Sequence, residues 1–424
     1  MRAILLFLVV ACAAGEDKPQ EPSRRREVIV VTGAYEPIPL EEADRSVAAF
    51  DVAGSVLLLN SIADVLRLDP TLDLRQRTPN AVQSDLSIRG GTFGQTLVLL
   101  DGFRLNDAQS GHHNMDVPVP LESIERVEVL RGSGSALYGS DAVGGAVQFI
   151  TREPEATELR FRTAAGNFGV NQQRGSLGFA RRRISQILSF ARDVSSGFRP
   201  NRDYRNLSLG SSTLWKTGLS STRVLLSHND RPFGAQGFYG SFPSWERTKT
   251  WFAGLRQQVR EKTEASFAFR RHTDLFVLYR DRPQVFANRH TVEAFQAAVR
   301  RRDSFSPTAV LHYGVEGYRD AIESTNLGSH VRGRGAGYAA FDVRSLRRFS
   351  FTLAARKEVH ERGKSQFSPS ASFGVWLNDR LKLRAGASRA FRLPSYTDLY
   401  YHDPASRGSP DLRPELAASY EAGV

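Results

Sequence analysis

The chain has 424 residues, which is enough for two or three ordinary domains or for one large barrel with an inserted domain. Hydrophobic residues make up 41% and the mean hydropathy is −0.35, which excludes a helical membrane protein but suits strands that are apolar on one face only. The net charge of +12 comes from arginines spread along the whole chain, rather than gathered beside a recognisable nucleic-acid module. We therefore expect no nucleic-acid partner, and we interpret most of these arginines as solvated charges.

The amino terminus predicts export. Arg2 precedes an apolar run over residues 3–11 and small residues at 11–13, which together predict a secretory signal peptide over residues 1–13. Cys12 is the single cysteine, so neither a disulfide framework nor a thiolate metal site is expected. Lipoprotein processing at Cys12 is the alternative to ordinary cleavage. The polar, proline-containing residues 16–26 have the composition of a flexible tether.

An extended apolar segment follows the tether. It could add to the sheet edge of a partner through main-chain hydrogen bonds, or it could be the first strand of the next domain. Its residues are Glu27, Val28, Ile29, Val30, Val31, Thr32 and Gly33.

Residues 35–152 have the pattern of a compact, loop-rich α+β module. The runs at 97–100 and 127–130 are bounded by glycine and predict short buried strands. Ser61 and Asp64 predict a helix start, with Ile62, Val65 and Leu66 on one face. The sequence GSGSALYG lacks the Gly-Lys-Ser/Thr ending of a nucleotide loop, which disfavours phosphate binding.

Beyond Pro154 the chain alternates strictly between apolar and polar residues. Leu159 and Phe161 flank Arg160, and the same period of two predicts about fourteen strands between Glu158 and Val424. Short turns alternate with longer segments, as in outer-membrane barrels. The longer segments are residues 194–203, 231–247, 281–289, 319–332 and 391–415.

Two stretches carry a resemblance to a known family. LSIRGGTFGQTLVLLDGFRLND and SIERVEVLRGSGSALYGSDAVGGAVQFIT resemble the plug of a TonB-dependent outer-membrane receptor, and FRLPSYTDLYY, SPDLRPE and SYEAGV are similar to a barrel loop and the strand after it. The resemblance implies a mainly β fold in the Gram-negative outer membrane. The implied domains are a periplasmic tether with a TonB box over residues 14–34, a plug over 35–152 and an antiparallel barrel over 153–424. Within the box, Val28 and Gly33 stand where the family often has threonine and alanine.

The expected barrel is incomplete. Plugged transporters close with about 22 strands, so roughly eight more strands, on the order of 150 residues, would follow the fourteen predicted ones. Unpaired strand edges in hydrocarbon cost several kcal/mol for each backbone group. We therefore expect a carboxyl-terminally truncated barrel that cannot form a stable transporter by itself.

The resemblance also assigns ligand-binding residues. The polar, aperiodic segments 77–85 and 106–117 are expected to be plug loops that face the outside and touch the ligand. His112 and His113 would point in opposite directions on extended backbone, so a direct metal site is disfavoured against hydrogen bonding to an organic chelate. The candidate residues are Gln83, Ser84, Asn106, Asp107, Gln109, Ser110, His112, His113 and Asn114.

Family receptors pin the plug by arginines in the IRG and LRG positions against glutamates on the barrel wall. Arg89, Arg131 and Glu421 occupy matching positions. Tyr420, Ala422 and Val424 would then face lipid and Glu421 the lumen, where a guanidinium and a carboxylate can form paired hydrogen bonds. A solvated lumen charge is the alternative for Glu421.

The implied function is energy-coupled uptake of a scarce ligand. TonB, with its inner-membrane energising complex, is the expected partner, and the chain would contact lipopolysaccharide in the outer membrane. A ferric siderophore is the first expected ligand and cobalamin the second. The other classes left open are a passive porin-like or adhesin barrel and an inactive gene fragment. No catalytic arrangement, cofactor or resident metal is expected.

Overall fold

The computed structural model describes residues 28–80, 82–344, 348–360, 363–404 and 406–424. The predicted signal peptide, the tether up to residue 26 and Glu27 lie outside the described residues. Within these ranges, no helix has both the length and the hydrophobicity needed to cross a membrane.

The amino-terminal part forms a small plug domain built on a five-stranded sheet. Its strand order is β3-β8-β9-β6-β7, in which only the β6–β9 pair is parallel. The strands are β1 (Ile29–Val30), β2 (Ile38–Pro39), β3 (Val47–Asp51), β4 (Leu72–Gln76), β5 (Ser84–Ile88), β6 (Thr96–Leu100), β7 (Phe103–Arg104), β8 (Ile124–Arg131) and β9 (Gly145–Thr151). The helices are α1 (Ile62–Leu66) and α2 (Ser135–Tyr138), with 3-10 turns at Leu40–Glu42, Val56–Leu58, Phe93–Gln95, Gly111–His113 and Leu121–Ser123.

The plug core follows the predicted apolar runs. Every residue of β6 is buried, and Val65 and Leu66 of α1 pack into the same cluster as β6, β8 and β9. The predicted helix start is confirmed, because Ser61 and Asp64 form a reciprocal capping box. Phe252 belongs to this cluster too, although it comes from the large sheet described next, which we call the wall. The plug core therefore continues into that sheet.

The rest of the chain is one antiparallel sheet of fourteen strands in sequence order, which confirms the predicted count. Within the residues that the structure describes, the sheet is not closed, and β10 and β23 are its edges. The strands are β10 (Glu158–Gly166), β11 (Val170–Arg181), β12 (Ile184–Ser195), β13 (Tyr204–Thr217), β14 (Ser220–Gly234), β15 (Trp245–Val259), β16 (Thr263–Val277), β17 (Ala287–Ser306), β18 (Ala309–Ser324), β19 (Gly328–Arg344), β20 (Phe349–His360), β21 (Lys364–Asn378), β22 (Leu381–Arg392) and β23 (Glu415–Gly423). A third helix, α3 (Tyr396–Tyr400), lies between β22 and β23.

Alternation along the strands separates two faces. Leu159 and Tyr420 are 77% and 82% exposed on the outer face, as the period of two predicts. The inner face carries buried charges such as Arg356, which forms ion pairs with Glu316 and Glu358. Many inner arginines are therefore buried ion-pair partners, whereas we expected them to be solvated.

The links between strands differ at the two ends of the sheet. The links 182–183, 218–219, 260–262, 307–308 and 379–380 define the short-turn end, and the links 196–203, 235–244, 278–286 and 393–414 define the long-loop end. One predicted long segment, 319–332, is wrong, because β18 and β19 run through it and leave only residues 325–327 as a link. Its polar residues Asp320 and Arg332 pair on the inner face, where Arg334, two residues beyond the segment, also pairs with Asp320.

The sheet wraps around the plug. Arg162 on edge strand β10 donates to the carbonyl of Leu59, and Glu415 on the opposite edge strand β23 accepts from Gln95. Since strands at both edges contact one small domain, the sheet must curve around it. The plug thus lies against the inner face of the wall.

Candidate functional site

The second predicted ligand loop is ordered from within. Asn106 accepts a hydrogen bond from the Val98 amide at 2.7 Å and donates to the Thr96 carbonyl, and Asn114 accepts from the Asp107 amide at 3.0 Å. Ser110 caps the following 3-10 turn through the His112 amide. Asn106, Ser110 and Asn114 therefore shape the loop, and their contact with a ligand stays a prediction.

Asp107 and Asp116 join this loop to the inner face of the wall. Asp107 lies 2.6 Å from Arg270 and 3.1 Å from His272, and Asp116 lies 3.0 Å from His272 and 3.1 Å from Arg231. Burial raises the pKa of Asp107, but Arg270 and His272 lower it well below its ordinary range. The loop is thus held to strands β14 and β16 by charged, buried contacts.

His112 and His113 lie in the 3-10 turn Gly111–His113, so the predicted extended backbone is wrong. Their side chains nevertheless diverge. His112 contacts Asp85 at 2.7 Å and stacks on Phe93, whereas His113 contacts Asp274 on β16 at 3.4 Å. Burial alone would lower the pKa of His113, but the hydrogen bond and charge of Asp274 raise it to about 10.

The first predicted loop meets an arginine–aromatic cluster, which we define as Arg77, Arg202, Phe238 and Tyr239. Gln83 donates to the Tyr239 hydroxyl at 2.5 Å, while Ser84 is buried at the start of β5. The Arg202 guanidinium lies 4.3 Å from the Phe238 ring centre, and that of Arg77 lies 5.4 Å from the Tyr239 ring centre. The cluster sits at the long-loop end, where links 196–203 and 235–244 meet the plug.

The predicted TonB-box segment contacts the plug at the opposite end. Ile29 and Val30 pair with β2, and the amides of Val31 and Thr32 donate to one carboxylate oxygen of Glu128 at 2.8 and 2.7 Å. Val30 and Thr32 are fully buried, whereas Val28 and Ile29 are 44% and 43% exposed. Gly33 follows with a φ of +85°.

Glu36, just after this segment, shows which end it occupies. Its carboxylate lies 3.1 Å from Arg302, which is near the short-turn end of β17. The segment therefore lies at the short-turn end of the wall.

The three predicted lock residues are not joined directly in the described chain. Arg131 pairs with Asp69 of the plug at 2.9 Å, and Arg89 contacts the Ser46 hydroxyl at 3.4 Å. Arg89 and Glu421 do line one cavity of about 250 Å³ between the plug and strands β21 to β23. The lock as a unit stays a prediction.

Sequence reasoning missed the partners that hold these residues. Asp69, Glu128 and Asp274 contact the predicted lock, box and loop residues respectively. Asp274 could have been noticed as an acid among alternating wall residues, and Glu128 as an acid within an otherwise buried strand. Which loop each would meet has no sequence signal, because the contacts span 96 residues or more for Glu128 and 165 between Gln109 and Asp274.

Comparisons with known proteins agree with this architecture. A family model described as TonB-dependent Receptor Plug Domain matches residues 56–146, and one described as TonB dependent receptor-like, beta-barrel matches residues 148–424. The chain is 24% identical to the vitamin B12 transporter BtuB of Photobacterium profundum, over all of this chain and 71% of the relative. It is also 24% identical to the iron-regulated outer membrane virulence protein of Vibrio cholerae, over 96% of this chain and 67% of the relative.

Solved structures show the same fold. The ferric enterobactin receptor PfeA of Pseudomonas aeruginosa, in a mutant form, superposes with a TM-score of 0.74 at 16% identity, covering 93% of this chain and 70% of that one. The siderophore receptor PirA of Acinetobacter baumannii gives a TM-score of 0.71 at 16% identity, covering 89% and 68%. Since a plug lies inside a curved antiparallel sheet and both family models match, the chain belongs to the TonB-dependent receptors of the outer membrane.

Proposed function

We propose that this receptor takes up a ferric siderophore of anionic, aromatic type, with cobalamin as the second candidate. The observation that carries the proposal is the arginine–aromatic cluster beside Gln83. Arg202 donates to the carbonyls of Gln236 and Arg77, both at 2.6 Å, and forms no ion pair with an acid of the described residues. A cation with no acidic partner, flanked by aromatic rings, suits a ligand that is negatively charged and has ring faces.

One relative and two solved structures support iron as the cargo. The Vibrio cholerae relative is named for iron regulation, and the superposed structures are receptors of siderophores or of ferric enterobactin. The match to BtuB along the whole chain is the specific reason to keep cobalamin as the second candidate.

Uptake of ferric enterobactin tests the ligand in a host strain that lacks its own receptor and expresses this chain with its open wall completed by the closing strands of a related receptor. We expect Arg202→Ala to reduce the apparent affinity about tenfold or more, since a hydrogen bond to a charged group contributes about 1.5–3 kcal/mol. Arg301→Ala is the matched control, because Arg301 is half exposed at the short-turn end and pairs with Asp303. Uptake of cyanocobalamin but not of ferric enterobactin would favour the second candidate.

The contacts at the two ends of the plug support a coupling mechanism. Ligand binding at the long-loop end would favour a conformation in which the box segment leaves Glu128 and pairs with TonB by β-augmentation. TonB would then displace part of the plug with energy from the inner membrane. The supporting geometry is that two of the segment's described residues, Ile29 and Val30, pair with a strand and one carboxylate holds the next two amides.

TonB dependence separates this proposal from a passive porin or an adhesin. We expect ferric enterobactin uptake to disappear in a strain without TonB and to return when TonB is restored. Uptake that continues at the same rate without TonB would favour the passive barrel.

A further inference from the structure

A buried group of one histidine and two acids lies between the plug and the wall. His113 comes from the plug turn, Glu246 from the start of β15 and Asp274 from near the end of β16. Their exposures are 3%, 1% and 5%. In the β15–β16 register Asp274 is opposite Thr248, which places Glu246 two residues further along the same inner face. One donor atom of each of the three lies within 4.8 Å of the others.

The two carboxylates have no permanent cation beside them. Among the described residues, no lysine or arginine forms an ion pair with Glu246 or Asp274. Glu246 accepts from the Tyr239 hydroxyl at 3.2 Å, and Asp274 accepts from Gln109 at 3.0 Å and contacts His113 at 3.4 Å. Two buried carboxylates this close together need a proton or a cation, and among the described residues only the His113 imidazole lies beside them as a possible positive charge.

Oxygen atoms in the group are also left without partners. Oε1 of Glu246, Oδ1 of Asp274 and Oε1 of Gln109 are buried and accept no hydrogen bond from the described residues. A buried acceptor without a partner costs about 1–3 kcal/mol, and more when it is charged. One cation would satisfy the carboxylate oxygens and balance their charge at the same time.

Two other groups of similar composition do have arginine partners for their acids. In the group Glu36, His312 and Asp342, Arg302 and Arg344 already pair with the acids. In the group His113, Asp116 and His272, Arg231 lies 3.1 Å from the Asp116 carboxylate. Arginine therefore neutralises the acids there, whereas among the described residues the group with Glu246 and Asp274 has no arginine or lysine partner and contacts only the His113 imidazole.

We propose that His113, Glu246 and Asp274 bind one divalent transition-metal ion, of which zinc is the representative. One imidazole and two carboxylates are a suitable donor set for zinc, whereas calcium prefers six to eight oxygens. Zinc ligands lie about 2.0–2.2 Å from the metal, so donor atoms are at most about 4.4 Å apart. The side chains would need to close only by a few tenths of an ångström from the 4.8 Å limit. The bound ion would join the plug loop to β15 and β16, whichever ligand the receptor transports.

The test is titration of the purified whole chain in detergent, after chelator treatment, with zinc chloride. We expect calorimetry to show one zinc ion bound per chain. When cobalt(II) replaces zinc, d–d absorption bands should appear in the visible range and report coordination by a histidine. Glu246→Gln and His113→Gln should each weaken zinc binding by a hundredfold or more. Glu246→Gln is nearly isosteric and removes a buried charge with no cationic partner, so it is the variant that keeps the fold.

His112→Gln is the matched control, because His112 is the adjacent histidine but contacts Asp85 instead. It should bind zinc like the wild type, and so should His312→Gln. Absence of zinc binding in the wild type would overturn the proposal. So would zinc binding that is unchanged in Glu246→Gln, which would locate the ion elsewhere, for instance on bound lipopolysaccharide.

Discussion

Asp69 is a plug carboxylate that sequence reasoning did not select. It is 1% exposed, and it accepts four hydrogen bonds, two from Thr71 and two from the guanidinium of Arg131. Arg131 is the predicted lock residue in the LRG position, so within the described chain its charge is used to join β8 to the start of β4. An arginine in a family motif can thus be satisfied inside the plug.

Replacing Asp69 should destabilise the plug. We expect Asp69→Asn to lower the free energy of unfolding by about 2 kcal/mol, because a hydrogen bond to a charged group contributes about 1.5–3 kcal/mol. Asp73→Asn is the control, since Asp73 and its partner Arg75 are 51% and 80% exposed and such pairs contribute about 0.2–1 kcal/mol. Urea unfolding of both variants measures the difference, and equal midpoints would contradict the assignment.

The Asp69 contact should also depend on pH. Burial opposes its ionisation, but the hydrogen bonds from Thr71 and Arg131 lower its pKa below the ordinary value of 3.8. The contribution to stability is therefore full above pH 3.8 and is lost as the pH falls through the lower, folded-state pKa. Wild-type stability should fall more steeply than that of Asp69→Asn across this acid range; parallel curves would exclude Asp69 as the cause.

At the scale of elements, glycine fixes how β8 and β9 meet. Gly145 begins β9 with a φ of +148°, and a Cβ there would lie 2.0 Å from the carbonyl oxygen of Leu130. Neighbouring Gly144 is less restricted, because a Cβ there would lie 3.3 Å from its nearest atom, the carbonyl oxygen of Ile88. The backbone of β8 therefore approaches β9 more closely than any side chain would permit.

Gly145→Ala should cost about 3 kcal/mol or more, because backbone atoms must move and strained dihedrals add about 1–3 kcal/mol. Gly144→Ala should cost clearly less. Thermal unfolding of the two variants checks the order, and a Gly144→Ala variant that is the less stable of the two would contradict it.

The box segment is held to strand β8 by the carboxylate of Glu128, whose charge a single substitution can remove. We expect Glu128→Gln to accelerate hydrogen exchange of the Val31 and Thr32 amides at least tenfold, because a neutral amide oxygen accepts more weakly than a carboxylate. Glu125→Gln, in the same strand, is the control. Mass-spectrometric exchange of the amino-terminal peptide measures the effect, and unchanged protection would mean that Glu128 does not retain the segment.

At the scale of the whole molecule, the wall curves around the plug, and among the described residues its edge strands β10 and β23 each have one side without a partner strand. Backbone groups of β10 and β23 that lie in hydrocarbon without partners would cost several kcal/mol each. An isolated polypeptide of these 424 residues should therefore run in detergent gels without the heat-dependent mobility shift of a closed barrel. A folded species that resists detergent until it is heated would contradict this expectation.

The sequence by itself determined the elements and the family. Period-two alternation predicted the fourteen strands, glycine-bounded apolar runs predicted β6 and β8, and the capping pair predicted α1, because each signal depends on neighbouring residues alone. The sequence wrongly predicted a loop at 319–332, because residues that are polar but paired on the inner face have the same pattern as a loop.

Only the tertiary structure decided which charges meet. The contacts of Glu128 with the box segment, of Asp69 with Arg131 and of Asp274 with His113 join residues far apart in the chain. Their pairing is set by how the sheet curves around the plug and by which strand faces each loop. Burial then determines how much each pair contributes to the free energy of unfolding, since the same charges on an exposed surface would contribute little.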